Sequence, residues 1–264
     1  MSSINKKNYS INILRLLKFN KYIVLSILIF KKQFEKGFIM DIEYANHLMG
    51  IYKDKILHER MKRRLEYFKR VYERDNDKRL FAELAFCICT PQTKARSGAA
   101  AIIDLYNHNL LFNGSSEKVA NILIKHVRFH NMKAQNIILA RKLYFPKEKF
   151  ILKERINNAI QNGTMVELRN QLAKEVKGYG LKEASHFLRN IGFGQSIGIL
   201  DRHIMRVMDK LGILPEGMTP KTSLTKNNYI RVEKNLVEYS KKENIPMEYL
   251  DFVFWFDATN DIFK

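Results

Sequence analysis

The sequence predicts an all-α fold, and three observations carry that expectation. Apolar residues recur at three- and four-residue spacing along most of the chain, the period of a helix face. No stretch alternates apolar and polar residues in the way a half-buried strand would. Five prolines and twelve glycines among 264 residues leave long segments unbroken, and a hydrophobic fraction of 46% suffices for a sizeable core in one or two domains.

From the N-terminus, residues 1–39 stand apart. Eight basic residues and one acidic residue accompany the apolar run "YIVLSILIF", Tyr22 to Phe30. That run is too short to cross a bilayer, which takes about 20 residues, and the "KKQFEKG" behind it lacks the small-residue cleavage site of a signal peptide. Met40 opens a conventional-looking start, so residues 1–39 are expected to be a basic extension dispensable for the chemistry and residues 40–264 the working body. In that body "DKILHERMKRRLEYFKRVY", "LFAELAFCICT", "KARSGAAAIIDLY", "KVANILIKHV" and "NMKAQNIILARKLY" each read as a helix. Thr164 and Glu167 stand at capping-box spacing and predict a helix from there to about Val176, which "KGYG" must end. Lys182 to Asn190 is the next helix, and Asp201, in an N-cap position, opens another that Gly212 stops.

The formal net charge of +19, of which +7 lies in residues 1–39, and a pI near 9.8 make a polyanion the leading partner. Nucleic acid comes first and an anionic membrane surface second. A lysine-rich composition common to proteins of one source would give the same total, so charge alone does not decide. The two cysteines, Cys87 and Cys89, lie in the apolar "LAFCIC" and read as buried, inert thiols. Two cysteines exclude a disulfide framework and a four-cysteine metal site within one chain.

The segment "KGYGLKEASHFLRN", residues 177–190, sets two glycines two apart and then Lys182 at the start of a helix, the end whose dipole repels cations. Gly178 and Gly180 permit left-handed dihedrals. "KGYGL" therefore reads either as an ordinary glycine-stopped turn or as a hairpin whose backbone N–H groups bind a phosphate. Partly desolvated and among other cations, Lys182 is in a setting that disfavours the ammonium form, and a neutral amine can attack an electrophilic carbon. Nineteen residues on, Asp201 serves either as a plain helix cap or to stabilise a cation that develops nearby. A lysine nucleophile with an aspartate is the minimal set for displacing a glycosidic base and forming a Schiff base.

These residues carry a resemblance. "VKGYGLKEASHFLRNIG" followed by "ILDRHIMRV" resembles the helix-hairpin-helix DNA glycosylases, with the hairpin lysine and downstream aspartate of the bifunctional members. The resemblance implies two helical subdomains with a DNA-binding cleft between them, Lys182 as Schiff-base nucleophile and Asp201 as catalytic carboxylate. "ELAFCICTPQTKA" is similar to the helix and loop that carry a polar residue into the gap left by a flipped base, here Gln92. "HVRFHNMKAQNIILAR" is similar to the loop and helix that bear a DNA-wedging tip, here Arg128 and Phe129, although Phe129 reads equally as a core aromatic. Gly178, Tyr179 and Gly180 of the hairpin, and His203 beside the aspartate, are implied as further DNA contacts.

Relatives of the endonuclease III type usually carry a four-cysteine iron–sulfur loop after the aspartate, and the absence of any cysteine beyond Cys89 excludes it here. "GYGLKEASHFLRNIG", "RFHN" and the ending "LDFVFWFDATNDIFK" instead resemble the compact 8-oxoguanine DNA glycosylase/lyases of archaea and some bacteria, from about Ile42 to Lys264. In that family the C-terminal segment closes on the extruded base, which nominates Trp255 and Lys264 for base recognition. An indole face also stacks a flipped purine on general grounds, while a lone tryptophan serves a core equally well. Asn260 stands where the family has glycine and still tolerates a positive φ. The spacer "IGFGQSIGIL" is slightly long, which leaves the depth of Asp201 open.

The resemblance thus implies a monomeric, cytoplasmic base-excision-repair enzyme that acts on double-stranded DNA holding an oxidised base, with no membrane partner and no metal or cofactor. Three rivals stay open. One is an endonuclease III-like glycosylase for oxidised pyrimidines. Another is a non-catalytic helix-hairpin-helix DNA-binding module, which explains the charge and the hairpin but not Lys182 together with Asp201. The third is a membrane-surface protein held by residues 1–39.

Overall fold

The computed structural model describes residues 42–74, 77–146 and 149–263, and these contain helices and no strand. The expected N-terminal extension, Met40 and Lys264 lie outside the described residues. Helix α1 covers residues 42–53. Helix α2 (Lys55–Arg74) begins where the Asp54 carboxylate accepts the Leu57 N–H at 2.8 Å, and it buries Met61, Leu65, Phe68 and Val71 on one face. Helix α3 (Asp77–Cys89) is buried on nearly every side, as its almost continuous apolar sequence requires. Next come α4 (Ala95–Asn107), the single turn α5 (Leu110–Asn113), α6 (Ser116–Leu123), α7 (His130–Tyr144), α8 (Leu152–Gln161) and α9 (Met165–Glu175). The last four helices are α10 (Leu181–Asn190), α11 (Arg202–Lys210), α12 (Lys226–Glu243) and α13 (Met247–Thr259).

Two apolar cores divide these helices. Phe81, Leu84, Ile137, Tyr144 and Phe187 belong to the first, built by α3 to α10. Met61, Phe68, Met205, Leu250 and Phe254 belong to the second, built by α2, α11, α12 and α13, with Leu48 of α1. Helix α2 feeds both, giving Val71 to the first core and Met61, Leu65 and Phe68 to the second. A buried cation joins them as well: the Arg189 guanidinium of α10 pairs with Asp251 of α13 at 3.3 Å and lies 5.0 and 5.1 Å from the ring centroids of Phe68 and Phe252. Both cysteines are fully buried, and burial pushes the Cys89 thiol up to about 12.

Three features differ from the expected pattern. Helix α6 stops at Leu123 rather than running on to Val127, because 124–126 tighten into turns closed by Lys125 N–H to Ile122 C=O and His126 N–H to Leu123 C=O. Thr164 precedes α9 as expected, yet its side chain caps nothing; its backbone is not extended (φ −107°, ψ 37°), and the capping box does not form. Helices α1, α5, α8 and α12 are additions. The long α12 is dense in polar residues and reveals itself only by the spacing of Tyr229, Val232, Leu236 and Tyr239. Among the described residues no helix is long and apolar enough to cross a membrane.

Candidate active site

Helices α9 and α10 and the turn between them form a helix-hairpin-helix. Gly178 has φ +89°, and a Cβ there would stand 2.4 Å from the Asn136 amide nitrogen of α7, so both dihedral and space demand glycine. Gly180 departs from the left-handed expectation: its φ of −117° is extended, and its N–H donates to Glu183 Oε2 at 3.1 Å. Tyr179 turns its ring inward, where the hydroxyl donates to the Leu84 carbonyl at 2.8 Å and burial holds it well above the usual phenol range.

Lys182 lies in the first turn of α10, its side chain 24% exposed and its Nζ 3.6 Å from Glu183 Oε1. Asp201 caps α11, Oδ1 accepting the N–H groups of His203 and Ile204 at 2.8 and 3.0 Å. The long spacer before it is pinned at Gly198. Glu233 accepts the Gly198 N–H at 2.8 Å while pairing with buried Arg169 of α9, and the Tyr229 hydroxyl donates to the Gly198 carbonyl at 2.6 Å. One network therefore ties the helix entering the hairpin to the segment that delivers Asp201. Lys182 and Asp201 line one groove of about 1010 Å³, whose walls come from α10, α11 and residues 219–224, with Arg202, Arg206 and Lys221 making it basic. Asp251 lies within electrostatic reach: burial raises its carboxyl above the usual range, Arg189 opposes that, Asp201 adds to it and Lys182 opposes it. The His203 ring meets the Trp255 ring edge-on at 5.2 Å between centroids.

Gln92 and Phe129 share an unusual backbone. Thr90 to Thr93 form a turn closed by Thr93 N–H to Thr90 C=O at 3.0 Å, with Pro91 second and Gln92 third at φ +53°, a place where glycine is usual. Phe129 caps α7 at φ +57° and is 47% exposed, so it is not a core aromatic. Arg128 stacks over its ring at 5.5 Å. Left-handed backbone at a non-glycine residue costs on the order of 1–3 kcal/mol and gathers at functional sites. Lys133 of α7, buried, donates to the Cys89 and Pro91 carbonyls and the Thr93 hydroxyl.

The C-terminal tail crosses to the first subdomain. Asn260 takes φ +55°, matching its expected tolerance. Arg96 of α4 then grips Asp261 through two nitrogens, at 2.8 to 3.2 Å, and its guanidinium lies 4.6 Å from the Phe263 ring centroid. Phe263 lines a cavity of about 590 Å³ together with Tyr67, Phe86 and Arg64. Among the described residues no group of three or more His, Cys, Asp or Glu side chains is arranged to hold a metal ion.

A family model for 8-oxoguanine DNA glycosylase matches residues 61–245. The chain belongs to the 8-oxoguanine DNA glycosylase family. Within that family, a protein of Fusobacterium nucleatum named 8-oxoguanine DNA glycosylase/AP lyase is 39% identical over 222 residues, covering 84% of this chain and 98% of the relative. The crystal structure of the 8-oxoguanine DNA glycosylase of Thermotoga maritima aligns with a TM-score of 0.71 at 28% identity, over 85% of this chain and all of that one. The Methanocaldococcus jannaschii 8-oxoguanine glycosylase/lyase, solved with a 15mer DNA containing 8-oxoguanine, aligns with the same score at 25% identity over 83% and 99% of the two chains. The span matched by the glycosylase family model includes Gln92, Arg128, Phe129, Lys182, Asp201 and His203, and it ends before Trp255. Sequence reading missed Glu183, Asp251 and Lys133, whose significance lies in the partners the fold brings to them.

Proposed function

We propose that this protein removes 8-oxoguanine from double-stranded DNA and cleaves the strand at the resulting abasic sugar, acting as a monomer in the cytoplasm. The supporting observation is that Lys182 and Asp201, each in or at the first turn of its helix, line one basic groove. Arg202, Arg206 and Lys221 meet the phosphates, and their contacts make binding fall with salt. Gln92 enters the space of the extruded nucleotide while Arg128 and Phe129 wedge the stack, offsetting an unstacking cost of a few kcal/mol.

Lys182 Nζ, as the free amine, attacks the sugar C1′ as the glycosidic bond breaks and the base departs with the bonding pair. The Asp201 carboxylate stabilises the positive charge that develops on the sugar. One of the two nitrogen protons passes to the departing base; the nitrogen lone pair then opens the sugar ring as O4′ takes a proton, giving the C1′=N iminium, which keeps the second N–H. Removal of a C2′ proton then expels the 3′ phosphate, and hydrolysis of the Schiff base frees Lys182. Trp255 and the tail through Lys264 read the extruded base.

Borohydride trapping on duplexes carrying 8-oxoguanine or thymine glycol tests the reading. A covalent adduct on the 8-oxoguanine duplex supports it, whereas an adduct confined to thymine glycol points to oxidised pyrimidines. Lys182→Gln should abolish trapping while DNA binding persists. Asp201→Asn should slow base release by about 10²-fold or more, the scale of losing one preorganised charge at a developing cation. Trapping that survives in Lys182→Gln would assign the chemistry to another amine.

A further inference from the structure

One buried lysine bonds to both segments that set an exposed residue in left-handed backbone beside the proposed DNA face, its ammonium to the turn around Gln92 and its backbone N–H to Phe129. Lys133 stands one turn into α7 and is 1% exposed. Its ammonium has three protons and three acceptors: the carbonyls of Cys89 and Pro91, each at 2.8 Å, and the Thr93 hydroxyl at 2.9 Å. Cys89 is the last residue of α3, where helix carbonyls lack partners and the dipole is negative, so a cation there satisfies both needs. Pro91 and Thr93 flank Gln92, so the grip falls on both sides of the exposed side chain. The Lys133 backbone N–H meanwhile donates to the Phe129 carbonyl at 3.0 Å, opening the hydrogen-bond ladder of α7. An apolar side chain of the same length would supply none of the three bonds and would strand buried acceptors.

We infer that Lys133 is a positioning residue for extrusion of the damaged base. By clamping the Gln92 loop onto α7, it sets Gln92 and the Arg128–Phe129 tip at a fixed separation, so that one fills the gap while the other wedges the stack. This rests on the proposed function, since it needs a base to extrude. Lys133 touches neither substrate nor reacting atoms and acts through the loop it holds.

Single-turnover rates of Lys133→Met on a duplex with 8-oxoguanine and on the same duplex with a preformed abasic site provide the test. Base excision should slow by about tenfold to 10²-fold, the scale of a 1 Å misplacement. Cleavage of the abasic duplex should stay within about threefold, because no base remains to be unstacked. The rise in fluorescence of a 2-aminopurine beside the lesion should be lost on binding. In a Gln92→Ala background, adding Lys133→Met should cost less than about twofold further, since no side chain is left to aim. Thr93→Val removes one acceptor of the three and should show the same selective loss in smaller degree, which covers the case of a poorly folding Lys133→Met protein. Equal slowing on both duplexes, independent losses in the double variant, or a Thr93→Val protein identical to the parent would overturn the inference. A parent protein inert toward 8-oxoguanine would overturn the functional reading together with it, whereas an active parent with unselective losses would overturn the positioning role alone.

Discussion

Gln92 and Phe129 hold conformational strain at the surface, where both are exposed and both sit at positive φ. Strain of that kind persists when the surroundings over-determine it, and at Gln92 the Lys133 ammonium does so from below, through Pro91 and Thr93. Gln92→Gly isolates the side chain from the strain. Relief of the left-handed backbone and the greater freedom of unfolded glycine are each about 1 kcal/mol and opposite in sign, so stability should stay within about 1 kcal/mol. Excision of 8-oxoguanine should nonetheless fall by about tenfold or more, because nothing then enters the gap. Thermal denaturation and single-turnover excision on the same preparation measure the two, and a large loss of stability with unchanged excision would make the turn a purely structural device. Lys182 and Asp201 were legible in the sequence because helix starts leave local marks, a glycine hairpin before one and an N-cap carboxylate in the other. Lys133 and Asp251 were not. Each looks like an ordinary helix residue until folding supplies partners far along the chain, the carbonyls around Gln92 for one and Arg189 for the other.

Among the elements, α7 organises the proposed DNA face: Phe129 at its cap, Lys133 one turn on and Asn136 a turn further share one side, reaching the wedge tip, the Gln92 loop and the hairpin. Gly178→Ala should therefore destabilise the fold by about 2–3 kcal/mol, combining left-handed strain with a clash against Asn136. Thermal denaturation checks it, and a shift below about 1 kcal/mol would show that the hairpin can yield. The tail is a second such element. Its exposed Arg96–Asp261 pair contributes little to stability, at most about 1 kcal/mol, so Arg96→Ala should fold normally. If the tail reads the base, that variant and deletion of Lys264 should both weaken discrimination between 8-oxoguanine and guanine while leaving abasic-site cleavage within about twofold, since an abasic site offers no base to read. Single-turnover rates on the two substrates decide, and equal losses on both would count against the tail as a base reader. Periodicity made most helices visible, but their ends less so. α6 stops early because turn hydrogen bonds replace its last turn, and Thr164 caps nothing because its backbone is not extended.

At the scale of the molecule, two cores share α2 and the Arg189–Asp251 bridge, so the hairpin half and the half that carries Asp201 are held in register by buried contacts rather than by the chain alone. Removing one partner of such a buried pair leaves an uncompensated charge, which is why the bridge, dispensable in principle, is costly to break. The basic groove lies within residues 182–224, well inside the body, whereas +7 of the net charge lies in residues 1–39. The two sources of charge should therefore separate. A protein starting at Met40 should keep its single-turnover excision and lyase rates within about twofold at saturating protein, since no groove residue is lost. Its affinity for undamaged duplex should fall, and the slope of log affinity against log salt should become shallower by about one for each phosphate contact the extension had made. Titration across a salt series measures the slope, and quenched-flow cleavage measures the rates. A Met40-start protein with unchanged slope would show that the extension does not touch DNA. One with slow chemistry at saturation would show that residues 1–39 contribute to the active body, and the boundary at Met40 would have to move.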